Sequence, residues 1–143
     1  MSYSELQLGE FLAALGERTP APASGSATAI TAALAAALVE LAARFADDKP
    51  SIVRAKALWS RLAELADEDS AAYEAFMAGR TDETRARIIE VPEEIAACAD
   101  EVAALAEHVR ARLRSSVVGD AEAGGELARA AARVARRLAE VNA

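Results

Sequence analysis

The chain has one cysteine, Cys98, and one histidine, His108, in 143 residues. A lone thiol excludes an intramolecular disulfide and a cysteine-held zinc site. A lone imidazole excludes a histidine-rich metal centre, so no metal site is expected. Glycine (7) and proline (4) are scarce, which argues against a fibrous or linker-like chain. Strand signals are missing too: no stretch alternates apolar and polar residues with β-branched enrichment. Positive charge is in deficit, 16 basic residues against 23 acidic, for a net charge of −7. Nucleic acid is therefore not the expected partner, because displacing counterions from phosphate needs clustered lysine and arginine. The longest apolar run, Ala32 to Val39, ends at Glu40 and is too short to span a bilayer. Met1 to Gly9 shows no charged-then-apolar leader pattern. The expectation is a cytoplasmic protein that engages neither membrane nor nucleic acid.

What is abundant is alanine, 39 residues within an apolar fraction of 53%. That fraction is too high for a disordered chain, and the length suits a single domain over residues 1–143. Apolar residues recur at helical spacing nearly throughout. The spacing predicts a first helix from about Ser4 to Leu15, with Leu8, Phe11, Leu12 and Leu15 inward and a left-handed turn at Gly16. Glu17 to Gly25, with two prolines and a glycine, cannot be regular. A second helix, from Ser26 as its cap to about Ala46, is alanine-rich on nearly all sides and so is the expected buried centre. Asp47-Asp48-Lys49-Pro50 breaks it, and Ser51 is positioned to cap a third helix reaching Ala78. A short helix over Asp82 to Ile89 follows, then a longer one that Pro92 starts and that reaches Arg114. The last helix begins at Asp120, with Leu127, Ala131, Val134, Leu138 and Val141 inward. The fold class is all-α: a helical bundle of five to six antiparallel helices around a central alanine-rich buried helix.

Few residues carry chemistry. The Pro/Ala/Ser/Gly loop before the second helix can aim backbone N–H groups at an anion or a flat ring, or can simply connect two helices. Cys98 lies on an apolar stripe and reads as a core thiol. His108 is about 15 Å along the same helix, too far for a dyad, and reads as a rim residue. Asp69 and Tyr73, four residues apart, share a helix face and could orient a polar ligand, or Tyr73 could belong to the core. Arg129, Arg133, Arg136 and Arg137 form a row that is either a face of ion pairs or a wall for a carboxylate-rich ligand.

Several of these pieces stand in a telling order. Phe11-Leu12-Ala13-Ala14-Leu15 leads into Pro20-Ala21-Pro22-Ala23-Ser24-Gly25-Ser26-Ala27 and the alanine-rich helix. Then come Asp67-Glu68-Asp69-Ser70-Ala71-Ala72-Tyr73, Glu90-Val91-Pro92-Glu93-Glu94-Ile95-Ala96 and Val117-Val118-Gly119-Asp120-Ala121-Glu122-Ala123-Gly124. From about Leu8 to Glu140 the chain resembles the cyclodeaminase/cyclohydrolase family. That family includes the C-terminal domain of formiminotransferase-cyclodeaminase and stand-alone methenyltetrahydrofolate cyclohydrolases.

The resemblance implies a helical homodimer that binds a folate-type small molecule near the loop and acts on the one-carbon bridge of tetrahydrofolate. It implies no cofactor beyond that tetrahydrofolate derivative as substrate. Carried over to this chain, Asp120, Asp69 and Lys49 are the candidate catalytic residues. Pro22, Ala23, Ser24, Gly25, Ser26 and Tyr73 are the candidate substrate-binding residues, and the arginine row is a candidate site for the folate tail. Asp120, at a helix start, is equally a plain cap. The chain departs from the family where a three-glycine run is Ala23-Ser24-Gly25, and where a lysine-rich segment is reduced to Asp47-Asp48-Lys49. Those departures leave open an inactive family member that binds folate, or a dimeric helical interaction protein.

Overall fold

The computed structural model describes residues 2–143; Met1 lies outside the described residues. A 3-10 turn at Tyr3–Glu5 precedes α1 (Leu8–Gly16), α2 (Ser24–Phe45), α3 (Lys49–Ala78) and α4 (Asp82–Arg110). A second 3-10 turn, Ser115–Val117, leads into α5 (Gly119–Asn142). There is no strand among the described residues. The result is an all-α bundle in which α3, α4 and α5 all pack against α2.

Alanine explains that centre. On α2, Ala29, Ala32, Ala35, Ala36, Ala42 and Ala43 are buried with Val39. On α5 the inward positions are Gly124, Gly125, Ala128, Ala131, Ala132 and Ala135. Small side chains let the two backbones approach closely: a Cβ on Gly124 would lie 2.9 Å from Val39 Cγ2 and 3.0 Å from the Ala35 carbonyl oxygen. Close packing of this kind, not an apolar stripe, sets the register of α5. Leu127, Val134 and Val141 therefore face outward, contrary to the expectation from spacing; Leu138 is half-buried. Likewise α2 turns Leu34 (59% exposed), Leu41 and Phe45 (61% exposed) away from the core. By length and composition α2 could cross a membrane, its apolar window extending past Glu40, but half of that window is buried by its neighbours.

Several helix ends differ from expectation. Gly16 closes α1 without a left-handed turn, and only Phe11 of α1 is buried. Leu8 and Leu12 are exposed because α1 lies at the edge of the bundle. Asp48, not Ser51, caps α3: its carboxylate accepts from the Ser51 N–H and from Ser51 Oγ. Asp47, at φ 50°, turns the chain just before it, a conformation that aspartate tolerates. Lastly, Pro92 does not begin a helix. It sits inside α4, which runs unbroken through the predicted junction.

Candidate functional site

A cavity of about 240 Å³ lies at the end of the bundle where α2 begins and α3 and α5 finish. The loop before α2 supplies Pro20, Ala21 and Ala23, and the first turn of α2 supplies Ser24 and Gly25. Asp69, Ser70 and Tyr73 come from α3, Ile88 and Pro92 from α4, Leu138 and Asn142 from α5.

Asp69 is the chemical centre of this cavity. It is one of three successive acidic residues that meet three different fates. Asp67 accepts the Tyr3 backbone N–H at 2.8 Å. Glu68 pairs with Arg61 and Arg87, chiefly Arg61, which holds its carboxyl below the ordinary range. Asp69 makes no hydrogen bond or ion pair among the described residues, and its desolvation pushes its pKa up. Its carboxyl group lies directly on Gly25, where any Cβ would overlap it. Glycine at 25 is therefore needed for space, not for an unusual φ.

The other two substituted glycine positions cost little. Ala23 is extended (φ −142°, ψ −151°) and Ser24 is helical, conformations that any residue adopts. Both are exposed on the cavity side. The departure from three glycines thus leaves the cavity open. Ser24, Gly25 and Ser26, in the first turn of α2, carry backbone N–H groups with no partner within the helix.

A polar layer supports the cavity from below. Ser26 is buried and donates to the Ala66 carbonyl oxygen at 2.7 Å, so it does not cap α2 as expected. With that proton committed, Ser70 Oγ donates to Ser26 Oγ at 3.0 Å and accepts from the Tyr3 hydroxyl at 2.7 Å. A second device holds the far wall. Pro92 has no N–H, which frees the carbonyl of Ile88 four residues before it. The Asn142 side-chain amide donates to that oxygen at 2.8 Å, fastening the end of α5 to α4.

The structure brings Ala23, Ser24, Gly25, Asp69 and Tyr73 together around one cavity. Tyr73 is 37% exposed and stands at its rim, not in the core. Ser26 lies beneath the cavity floor, and Pro22 is buried behind a cis Ala21–Pro22 peptide. Asp120 and Lys49 are elsewhere. Asp120 stands in the first turn of α5 and does not cap it, since the cap position is Val118; it is 18 residues or about 27 Å of helix from Leu138, and Lys49 starts α3, about 30 Å of helix from Asp69. In the arginine row, Arg129, Arg136 and Arg137 are already paired with Glu126, Asp100 and Glu140. Cys98 is half-buried, and burial together with Glu94 and Glu101 disfavours its thiolate. Tyr3, Ser70, Pro92 and Asn142 escaped the sequence reading of the site. Only Pro92 left a signal, since an internal proline always frees the carbonyl four residues back.

The sequence pattern described as formiminotransferase-cyclodeaminase matches residues 7–143. The chain belongs to the formiminotransferase-cyclodeaminase family. Its fold is also that of a formiminotetrahydrofolate cyclodeaminase from Thermotoga maritima, with a TM-score of 0.92 and 20% sequence identity. That likeness covers 97% of this chain and 79% of the Thermotoga chain. No curated protein matches the sequence. Within the formiminotransferase-cyclodeaminase family match, residues 7–143 include the whole lining of the Asp69 cavity.

Proposed function

We propose that the protein is a folate one-carbon enzyme that acts on the one-carbon bridge of tetrahydrofolate at the Asp69 cavity. The observation that carries this reading is the unpartnered carboxyl of Asp69 set on Gly25 inside a cavity, in a chain of this family. Two reactions fit. In the cyclohydrolase direction, water adds to the carbon of the 5,10-methenyl bridge. One carbon–nitrogen bond then breaks, and the released nitrogen keeps the electron pair, leaving a formyl group on the other. In the cyclodeaminase direction, N10 attacks the carbon of a 5-formimino group and ammonia leaves, closing the methenyl bridge.

Both reactions move protons between water or a departing nitrogen and the protein. A carboxyl group whose pKa is raised toward the working pH is suited to that exchange. The free N–H groups of the first turn of α2 can donate to the ring carbonyl, and Tyr73 can border the ring at the rim.

The expected homodimer forms through the outward apolar face of α2. Leu34, Leu41 and Phe45 form a stripe too large and apolar to be left to water. An antiparallel pairing of α2 helices about a two-fold axis carries the Lys49 and Asp120 end of one protomer toward the cavity of the other. That is how these two residues would enter the reaction. Light scattering should report twice the chain mass, and Leu34→Arg should halve it and lower turnover. A fully active monomer overturns the pairing.

The function is tested by following methenyltetrahydrofolate absorbance with purified protein in both directions. Decay above the spontaneous rate supports the hydrolase. Growth from 5-formiminotetrahydrofolate with release of ammonia supports the deaminase. Folded dimer that does neither overturns the enzyme reading and leaves a folate-binding or interaction protein, which folate titration separates.

A further inference from the structure

Among the described residues, nine of the fourteen arginines pair with a carboxylate, as a chain of net charge −7 would favour. Arg80 and Arg85 do not, although Asp82 and Glu83 stand between them in sequence. Both guanidinium groups lie instead over the ring of Phe76, 5.2 Å and 5.3 Å from its centroid. Phe76 is half-buried against the core, so one rigid ring holds two cations at one place. A guanidinium held over a ring by its charge still has N–H donors to offer an anion. Two such forks on one platform can take carboxylates, each by a bidentate pair of hydrogen bonds.

Their position matters as much as their chemistry. Arg85 lies one turn before Ile88, a wall of the Asp69 cavity, and Phe76 lies one turn after Tyr73 at its rim. Arg80 stands two residues past the end of α3, beyond Phe76. The cavity, at about 240 Å³, falls below the roughly 300–1,000 Å³ that encloses a drug-sized ligand. It accommodates a bicyclic ring and leaves the remainder of a folate outside.

We infer that Arg80 and Arg85, held over Phe76, form a carboxylate clamp for the glutamate tail of a folate whose ring occupies the Asp69 cavity. This rests on the folate reading above. The benzoyl amide between ring and carboxylates spans on the order of 10 Å by ordinary bond lengths, which carries the tail out of the cavity past its rim at Tyr73. The clamp replaces the α5 arginine row as the tail site, since three of the four arginines there are already paired.

The test uses the full chain and two ligands: 5-formyltetrahydrofolate and its tetrahydropteroate counterpart, which lacks the glutamate. Wild type should bind the folate 10-fold to 100-fold more tightly, with the gap narrowing as salt rises. Arg80→Gln/Arg85→Gln should bind both ligands alike, with KM raised by that factor and kcat kept within about two-fold. Phe76→Leu, which keeps both charges but removes their platform, should lose part of the preference. Arg133→Gln on α5 should lose none. Equal binding of the two ligands by wild type, or an unchanged KM in the double variant, overturns the clamp alone. Failure of wild type to bind either ligand overturns the folate reading itself.

Discussion

Two aspartates at opposite ends of the bundle show what decides the fate of a carboxylate in this protein. Asp48 is 3% exposed, yet its pKa is held down, first by Ser51 and then by Arg112 at 2.8 Å. His108 Nε2 approaches it at 3.2 Å. Asp69 is only half-buried, yet its pKa is pushed up, because nothing but desolvation acts on it. Desolvation pushes both carboxyls up, and only at Asp48 do donors reverse it. The number of donors aimed at each carboxylate sets the direction. Asp48 is a joint that ties the start of α3 to the end of α4. Asp69 has no such donor aimed at it among the described residues.

The sharpest break of this comparison is Asp69→Asn. It removes the titrating proton but keeps size and shape. Turnover should fall about 10²–10⁴-fold, the range for loss of a general acid or base. Stability should move the other way. Because the folded pKa of Asp69 is raised, its ionisation opposes folding as pH climbs through the ordinary carboxylate range. At neutral pH the amide should raise Tm by roughly 2–4 °C, the shift of about 1 kcal/mol in a domain near this size. That gain should vanish below about pH 4, where Asp69 is neutral in both states. Calorimetry across pH reads it directly, and an unchanged turnover removes Asp69 from the mechanism.

Gly25→Ala tests the same group from its seat. The new Cβ must displace the Asp69 carboxyl. Turnover should drop by about 10²-fold, the cost of losing the aligned group. Helicity should be retained, because residue 25 is in ordinary helical conformation. Full activity in this variant would show that the present seat of Asp69 is not the working one.

At the other end, Asp48→Ala removes a cap and its pairs. The expected loss is about 2 kcal/mol, the upper part of the range for helix caps. The pH sign is opposite to that of Asp69→Asn. Asp48 has a lowered folded pKa, so its contribution is complete above the ordinary carboxylate range and fades as pH falls through the folded value. Wild type and variant should therefore converge in acid. A deficit constant from pH 7 to 3 would mean that packing, not charge, holds this joint.

The asymmetry between these ends was only partly legible in the sequence. Helical spacing located the bundle, the loop before α2 and the break at Asp47 to Pro50, because those signals are local. Asp69, Tyr73 and the Ala23 to Gly25 segment emerged as site candidates through their order along the chain. What stayed hidden was relational. Leu127 and Val134 look like core, but Gly124 fits against the Ala35 carbonyl and that contact turns the helix the other way. Ser26 looks like a cap, but helix α2 starts at Ser24, so its hydroxyl is carried inward to Ala66. Asp120 and Asp69 are both acidic residues at family segments; only the lengths of α3 and α5 reveal that they lie at opposite ends.

Asn142 gives the smallest effect and the finest test, since it holds the pocket end by one donated hydrogen bond. Asn142→Ala leaves the Ile88 carbonyl, freed by Pro92, without its partner. A lost hydrogen bond of this kind costs about 1 kcal/mol. The wall formed by Ile88 and Leu138 should loosen, raising KM a few-fold while kcat changes less. Asn142→Asp should be worse than alanine on both counts. Its carboxylate cannot donate to the Ile88 oxygen, and a second negative charge on the cavity wall opposes ionisation of Asp69. The alkaline shift of the pH–rate profile in the aspartate variant, absent in the alanine one, would distinguish an electrostatic link to Asp69 from a merely loosened helix end.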